Sequence, residues 1–386
     1  MLGGAPDKPE ITVLYWYDSV DDVAYTLANS LRTLGYRPLL QHYAASDPLD
    51  RSRFLFTYAP WGRIQKVRAR LEAVVAHKRP FWIHWSTEDC PDIRLPGAVT
   101  MPIGHALALL DRLEDRNGHA ARVAQIPIVR WTNRKFHKFR YVGAYAGALR
   151  SGLMGMLVEY SKVYADYYRS IGLPAEYARW GLISECTPID ETALPQERDI
   201  DVLWIGTRRT KRRSRLLDWV TGELSARGKS VYVVDGISHP PVYHQERASL
   251  LRRAKVTLNL LPTWDDSALA YRWPLVAAHR SLLVTEESLP HAPEYRPGEH
   301  YVAAGTPDLV NTICHYLDHP DEREPIVECA HEAVTRGHGI LDSVRQIMTW
   351  AIEKERMGMV VADKAATLVA RIGALVFGTG ILASIV

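Results

Sequence analysis

The chain has 386 residues, 47% of them hydrophobic and 24% charged, an ordinary soluble globular composition in a length comfortable for two domains. Its formal net charge of +3 is too small to mark a nucleic-acid binder. Cys90, Cys186, Cys314 and Cys329 stand far apart with no CxxC pair, which argues against a zinc site or a disulfide framework and for reduced thiols in a cytosolic protein.

The N-terminus shows no basic stretch followed by an apolar one, so no secretory signal is expected. Residues 11–17 are apolar, β-branched and aromatic and predict a strand, followed by a helical pattern over 23–34. A second strand is expected at 53–59, and a helix over 64–77 with Ile64, Val67, Leu71 and Val74 on one face. A third strand is expected at 80–85. Strands alternating with helices argue for a parallel sheet. Residues 123–130 suggest another strand, and 150–171 read as mostly helical. Residues 186–198 carry two prolines, several acids and no periodicity, as an interdomain linker would.

The second half is more regular. Residues 201–205 predict a strand ending at Gly206, with a helix after it carrying Leu216, Leu217, Val220 and Leu224 on one face. Strands follow at 231–234, 256–261 and 282–285, and helices at 246–253, 269–278 and 309–317. The expected fold class is therefore α/β, with two Rossmann-like domains at 8–185 and 199–338. Their ligand site should lie at the carboxyl ends of the strands. Residues 339–362 would form a further helix and 363–386 an apolar tail. The last 15 residues, uncharged, would reach ~22 Å as a helix, short of a ~30 Å hydrocarbon core. A tail helix packed on the protein, a peripheral membrane contact and a span are the three readings, in that order.

The most suggestive element runs from Gly206 through Thr207, Arg208, Arg209, Thr210 and Lys211 to Arg212 and Arg213. It leaves a strand and enters a helix, where backbone N–H groups and the helix dipole favour an anion. Cations at a helix N-terminus oppose that dipole, and a bound phosphate would explain them. The sequence has neither a Walker A loop nor a GxGxxG after its first strand, which removes P-loop and redox-dinucleotide readings. Downstream, Asn259, Tyr271 and Arg272 are candidate donor contacts, and Glu286 or Glu287 is a candidate partner for ribose hydroxyls. In the first half, Asp18 and the cluster His84, Glu88 and Asp89 end strands where an acceptor would face the donor, and such groups can serve as a general base. The segment from Arg130 to Arg140 mixes bases with aromatics, a pattern that suits nucleic acid, an acidic acceptor or lipid head groups, or simply a surface loop.

The runs at 199–220, 247–261 and 271–287, together with the later stretch 293–334, resemble the C-terminal domain of GT-B-fold glycosyltransferases. The nearest group includes the spore-maturation-protein-like enzymes. The turn at Pro297, Gly298 and Glu299, the helix opening at Pro307 and Asp308, and the segment from His319 to Arg323 carry this resemblance, with His338 near the group's closing histidine. It implies two Rossmann-like domains facing across a cleft, and a metal-independent, cofactor-free transfer from a nucleotide-sugar donor to a glycan, lipid-linked or surface acceptor. No nucleic-acid partner is expected, and the location expected is cytoplasmic, at the inner membrane face if the tail binds there. The final helices would return to the first domain. The sequence departs from the group in one place. Pro274 or Leu275 stands where a glutamate is usual, and His279 and Arg280 replace a glycine turn. That removes a ribose contact and would block close backbone approach, so a degenerate, binding-only protein is the second reading.

Overall fold

A computed structural model describes residues 9–16, 22–58, 61–116, 126, 136–183, 198–208, 210–337 and 339–358. The first domain is a six-stranded sheet in the order β2-β1-β3-β4-β5-β6, every pair parallel. Its strands are β1 (Glu10–Tyr15), β2 (Arg37–His42), β3 (Phe54–Thr57), β4 (Phe81–Ser86), β5 (Met154–Glu159) and β6 (Ala175–Tyr177). Between them run helices α1 (Asp22–Thr33), α2 (Trp61–Glu72), α3 (Gly97–Arg116), α4 (His137–Arg150) and α5 (Lys162–Ser170). β3 and β4 are buried almost throughout, as expected of parallel strands covered on both faces.

One sequence expectation is corrected here. The stretch 150–171 is not one helix, because Met154–Glu159 forms β5 between β4 and β6. A six-residue segment with four apolar side chains cannot show whether it is strand or helix, and the sheet supplies two partners. The helix restarts at α5, where the Ser161 hydroxyl accepts from the Tyr164 amide at 3.2 Å as its N-cap. The edge strand β2 was not foreseen. The expected strand at 123–130, most of the linker, most of the basic stretch before Phe136 and the apolar tail lie outside the described residues.

The second domain has a five-stranded parallel sheet in the order β11-β10-β9-β7-β8. Its strands are β7 (Ile200–Ile205), β8 (Val231–Val234), β9 (Ala254–Asn259), β10 (Leu282–Glu286) and β11 (Val302–Ala304). Its helices are α6 (Lys211–Ala226), α7 (His244–Arg253), α8 (Ala268–Ala278), α9 (Leu309–Asp318) and α10 (Pro320–Glu332). The order reverses between β7 and β9, so the topological switch point falls at the carboxyl end of β7.

The two domains share one apolar cluster, which runs from the first sheet through Trp180 and Ile183 to Trp273 and Val276. Polar contacts fix the junction. The Tyr160 and Ser267 hydroxyls bond each other, Tyr164 donates to the Asp265 carbonyl at 2.7 Å, and the Ser161 hydroxyl meets His291 Nδ1 at 2.7 Å. A last helix, α11, spans residues 340–358 and lies on the first domain. Its Ser343 donates to the Arg179 carbonyl at 2.8 Å, and Glu355 pairs with Arg53 at 2.6 Å. Gly181 permits that return, since a Cβ there would stand 2.3 Å from the Ile340 backbone nitrogen. Among the described residues no helix is long and apolar enough to cross a membrane.

Candidate functional site

A cavity of about 500 Å³ opens at the switch point, within the usual range for small-ligand sites. Gly206 and Thr207, at the end of β7, form one wall. The expected strand, glycine turn and helix are all present. Thr210 caps α6, its hydroxyl accepting from the Arg213 amide at 3.2 Å. The cations of this run, however, separate into different tasks. Arg208 donates to Asp235 at 2.8 Å and to Asp218 at 2.5 Å, so its guanidinium is held inside the domain and does not line the cavity. Arg208 holds the Asp235 carboxyl, despite its burial, well below the usual carboxylate range, helped by the amides of Ile237 and Ser238. Arg212 turns to Glu286 (3.1 Å for the longer contact) and to the Leu261 carbonyl. Arg213 faces the cavity, with its guanidinium 5.5 Å from the Trp204 ring centroid. Arg209 lies outside the described residues.

The second cation of the cavity comes from α8. Ala268, Tyr271, Arg272, Leu275 and Val276 all line it, the i, i+3, i+4, i+7, i+8 set of one helix face. Among the described residues the Arg272 side chain makes neither a hydrogen bond nor an ion pair. It packs instead against the backbone of β7, and a Cβ on Gly206 would come within 2.9 Å of its Nη2. Burial, and then the neighbouring Arg213, lower its pKa to about 10, with Asp266 acting in the opposite sense. Two guanidinium groups thus converge at the strand end. Leu275, one turn on from Arg272, presents an alkyl chain to the cavity, and Pro274, the other candidate for the glutamate position, does not line it.

His279 and Arg280 do not block the site. They close the far end of α8 and line no part of the cavity. Arg280 takes up the left-handed backbone itself, with φ 55°, and its guanidinium holds Glu328. The turn is kept without the glycine.

From the first domain, Asp89 and Tyr160 reach the cavity. Asp266 stands opposite, its Oδ1 accepting from the Ala268 amide at 2.8 Å. Burial and then the charge of Asp89 raise the Asp266 pKa, so the two carboxyls interact across the cleft. Of the residues proposed from sequence on this side, His84 must be corrected. It lies wholly buried inside β4, with Nδ1 at 2.8 Å from the Thr57 hydroxyl, and burial lowers its pKa to about 3. It is a neutral core histidine without access to the cleft. Glu88 accepts from the Tyr141 hydroxyl at 2.7 Å and does not line the cavity. Asp18 lies outside the described residues.

The remaining donor candidates also divide. Tyr271 lines the cavity, 42% exposed, with its ring stacked at 5.9 Å on Trp180 of the first domain. Asn259 is buried and donates to Thr285 at 2.9 Å. Glu286 is buried and accepts from Arg212, from the Leu261 amide at 2.8 Å and from Thr306 at 3.0 Å, so both its oxygens serve the domain's own structure. Glu287 is exposed beyond the strand end and does not line the cavity. Sequence reasoning missed Arg247 and Asp266, which only the folded chain brings to the pocket. Among the described residues, one group has metal-ligand proximity: Glu299, His300 and Cys329, with ligand atoms within 4.8 Å of one another. None of the three lines the cavity. The Arg296 amide donates to His300 Nδ1 at 3.0 Å, so in the neutral ring Nε2 carries the proton rather than the lone pair a metal needs.

Residues 209–349 match the sequence model of the glycosyl transferase-like family. No curated protein matches the chain in sequence. Its fold is similar to that of HepE from Anabaena, solved in complex with UDP-glucose (TM-score 0.53, 8% identity, 89% of this chain and 100% of that one). It is also similar to sucrose-phosphate synthase from Thermosynechococcus elongatus (TM-score 0.53, 11% identity, 90% and 99% of the two chains). A third likeness is WaaG, a glycosyltransferase involved in lipopolysaccharide biosynthesis (TM-score 0.52, 13% identity, 88% and 99%). The architecture is that of the GT-B glycosyltransferases, and the second domain is glycosyl transferase-like in sequence.

Proposed function

We propose that this GT-B-type chain transfers a sugar from a nucleoside diphosphate sugar, with the diphosphate seated on Arg272 and Arg213 against Gly206 and Thr207. The observation that carries this reading is Arg272, a partly buried guanidinium with no hydrogen bond or ion pair among the described residues, placed beside the buried Arg213. Burying like charges together is costly unless an anion joins them. A diphosphate suits the site because two planar donor forks can follow its oxygens and spread the charge that builds on the leaving group. In this reading the guanidinium pair does the work that a divalent cation does elsewhere, and no cofactor beyond the donor is needed. That UDP-glucose is bound in the HepE structure supports a sugar nucleotide as the ligand.

The donor sugar would then point toward the first domain, where Asp89 is that domain's carboxylate lining the cavity and the general base for an acceptor hydroxyl. The acceptor is a carbohydrate, lipid-linked or surface component, reaching the cleft past the exposed ring of Tyr271. A second reading has its own observation. Leu275 offers nothing to the ribose hydroxyls, which favours a protein that binds the nucleotide without turnover.

The test is a panel of UDP-, GDP- and ADP-sugars scored by thermal stabilisation and by slow donor hydrolysis. A ligand at 100 times its Kd should stabilise the fold by about 2.7 kcal/mol. Arg272→Met should remove that stabilisation while melting near wild type in the absence of ligand. Stabilisation without hydrolysis selects the binding protein. No response from any nucleotide, with Arg272→Met indistinguishable from wild type, refutes the site.

A further inference from the structure

The basic stretch at 130–140 has no part in the donor site, yet its described end reaches the cleft. Lys138 is the second residue of α4, and its Nζ stands 3.7 Å from Asp89 Oδ2, with 23% and 20% of the two side chains exposed. The first turn of α4 holds no acidic residue, and a cation there opposes the helix dipole. Asp89 accounts for that cation. A pair this withdrawn from solvent is screened less than one on the surface.

Other titratable groups feel the charge of Asp89. Asp266 lines the same cavity from the second domain, and the two carboxyls act on each other. Carboxyls so placed tend to share a proton unless a cation favours the charge on one of them. Lys138 pairs with Asp89, whereas its effect on Asp266 is smaller than that of Asp89. Tyr141 of α4, Tyr160 after β5 and Tyr164 of α5 also interact with Asp89, and burial pushes all three phenols up, so they stay neutral. On its own segment, Glu88 is engaged by Tyr141, and burial pushes the Cys90 thiol up.

We infer that Lys138 is a positioning residue, which holds Asp89 as a carboxylate on the cavity wall, ready to take the acceptor's proton. Its role presupposes the proposed transfer, with Asp89 as the base. In that step the acceptor oxygen bonds the anomeric carbon, and the bond from that carbon to the diphosphate breaks with its electron pair leaving on the diphosphate. The acceptor's proton passes to Asp89. Lys138 does not itself line the cavity. It acts by keeping the base ionised and fixing the direction of its carboxyl, while Asp266 takes any proton the two carboxyls share. Burial raises the Asp266 pKa and the charge of Asp89 raises it further, in keeping with that division.

The experiment follows hydrolysis of UDP-glucose, GDP-glucose and ADP-glucose by the full chain from about pH 6 to about pH 9, beside titration with UDP, GDP and ADP. Wild type is compared with Lys138→Met, Lys138→Arg, Asp89→Asn and the double variant Lys138→Met with Asp89→Asn. Lys138→Met should lower kcat on the preferred donor by about 10- to 100-fold at the acid end and by much less at the alkaline end. Donor KM and nucleotide affinity should stay within about twofold, because the diphosphate site is untouched. Lys138→Arg should keep at least about a third of the wild-type rate, since the charge is retained. On top of Asp89→Asn, Lys138→Met should cost less than about twofold more. Should Lys138→Met melt far below wild type, Lys138→Gln carries the same comparison. A loss equal at every pH, or one that persists in full beside Asp89→Asn, makes Lys138 merely structural and overturns its role. So does a Lys138→Arg variant as slow as Lys138→Met, or a loss seen in nucleotide affinity instead of kcat. In each of these cases a slow Asp89→Asn keeps the transfer reading intact. If wild type binds a nucleotide but hydrolyses no donor, the transfer reading and the role of Lys138 fall together, and the diphosphate site stands.

Discussion

The Gly206→Ala variant puts the phosphate assignment under the most direct pressure, because one methyl group must displace a specific cation. A Cβ at this position would stand 2.9 Å from Arg272 Nη2 and 3.1 and 3.3 Å from two ring atoms of Trp204. The indole cannot give way. It is fully buried, and the Arg213 guanidinium lies over its ring. The end of the arginine is the movable part, so Arg272 should be pushed off the strand end by several tenths of an ångström. Gly206 does not have a left-handed backbone, so alanine adds no conformational strain there. Overpacking costs about 1–3 kcal/mol, and the less flexible unfolded chain returns about 0.4–1 kcal/mol. The melting temperature should therefore fall by only a few degrees. Binding should suffer more. Losing one charge-assisted contact of about 1.5–3 kcal/mol weakens UDP by roughly 10- to 100-fold. Isothermal titration on a variant that melts as a folded protein gives the answer. A UDP affinity within twofold of wild type would mean that the strand end does not hold phosphate.

Other expectations follow from the same geometry. Asp89→Asn should lower transfer by about 10²–10⁴-fold with UDP affinity within about twofold, read by steady-state kinetics beside titration; unchanged turnover would remove Asp89 as the base. His84, His279 and His291 are held neutral by burial, with pKa values lowered to about 3, 4 and 4. Each folded pKa lies below the unfolded value near 6.5, so stability is present above that pH and is lost on acidification, by up to about 1.4 kcal/mol per pH unit for each histidine. Urea midpoints that stay constant from pH 7 to pH 5 would contradict this. Glu159 behaves in the opposite sense, since complete burial raises its pKa well above the usual range. Its contribution is present at low pH and fades as pH rises through its folded pKa. Glu159→Gln should therefore gain stability relative to wild type at pH 8 and gain little at pH 5, measured by the same melts.

How much of this could be read from the residues is decided by which partners the chain brings back. β7, its glycine and the capped helix after it were legible, because an apolar run, a Gly-Thr pair and Thr210 before a periodic face are local signals. The fates of the cations were not local. Arg208 and Arg212 look as available as Arg213 in sequence, yet Asp235 and Glu286, both from later strands, pair with them. His84 shows a similar limit. A polar residue near the end of an apolar strand suggests a cleft, but β4 continues to Ser86, and the histidine faces the core beside Tyr145. The β5 segment carried no period to separate strand from helix, and only its place between β4 and β6 resolves it. Asp89 fell within the polar turn singled out from sequence, but its neighbours Glu88 and His84 had equal standing until the fold put Asp89 alone in the cavity.

The same pairing explains why the missing helix glutamate need not disable the site. The two acidic side chains nearest the phosphate end in the second domain's own framework, Asp235 and Glu286, are each engaged by an arginine from the Gly206 run. Those ion pairs hold the ends of β8 and β10 against the loop after β7, so the charge they neutralise is structural. At the end of β7 the cavity is lined by Arg213 and Arg272, with the carboxyls Asp89 and Asp266 also on its wall. A glutamate at position 275 would add a third carboxylate one helical turn from Arg272 and would compete with a diphosphate for its guanidinium. Leucine there leaves Arg272 to the ligand and gives up ribose contacts in return. Affinity at this site should accordingly depend on the diphosphate and the base, with little contribution from the ribose. Deoxyribose and ribose forms of the preferred nucleotide should bind within about threefold of each other, because losing a hydroxyl that meets only an alkyl chain forfeits no buried hydrogen bond. A tenfold or larger preference for the ribonucleotide would show that another group has replaced the glutamate.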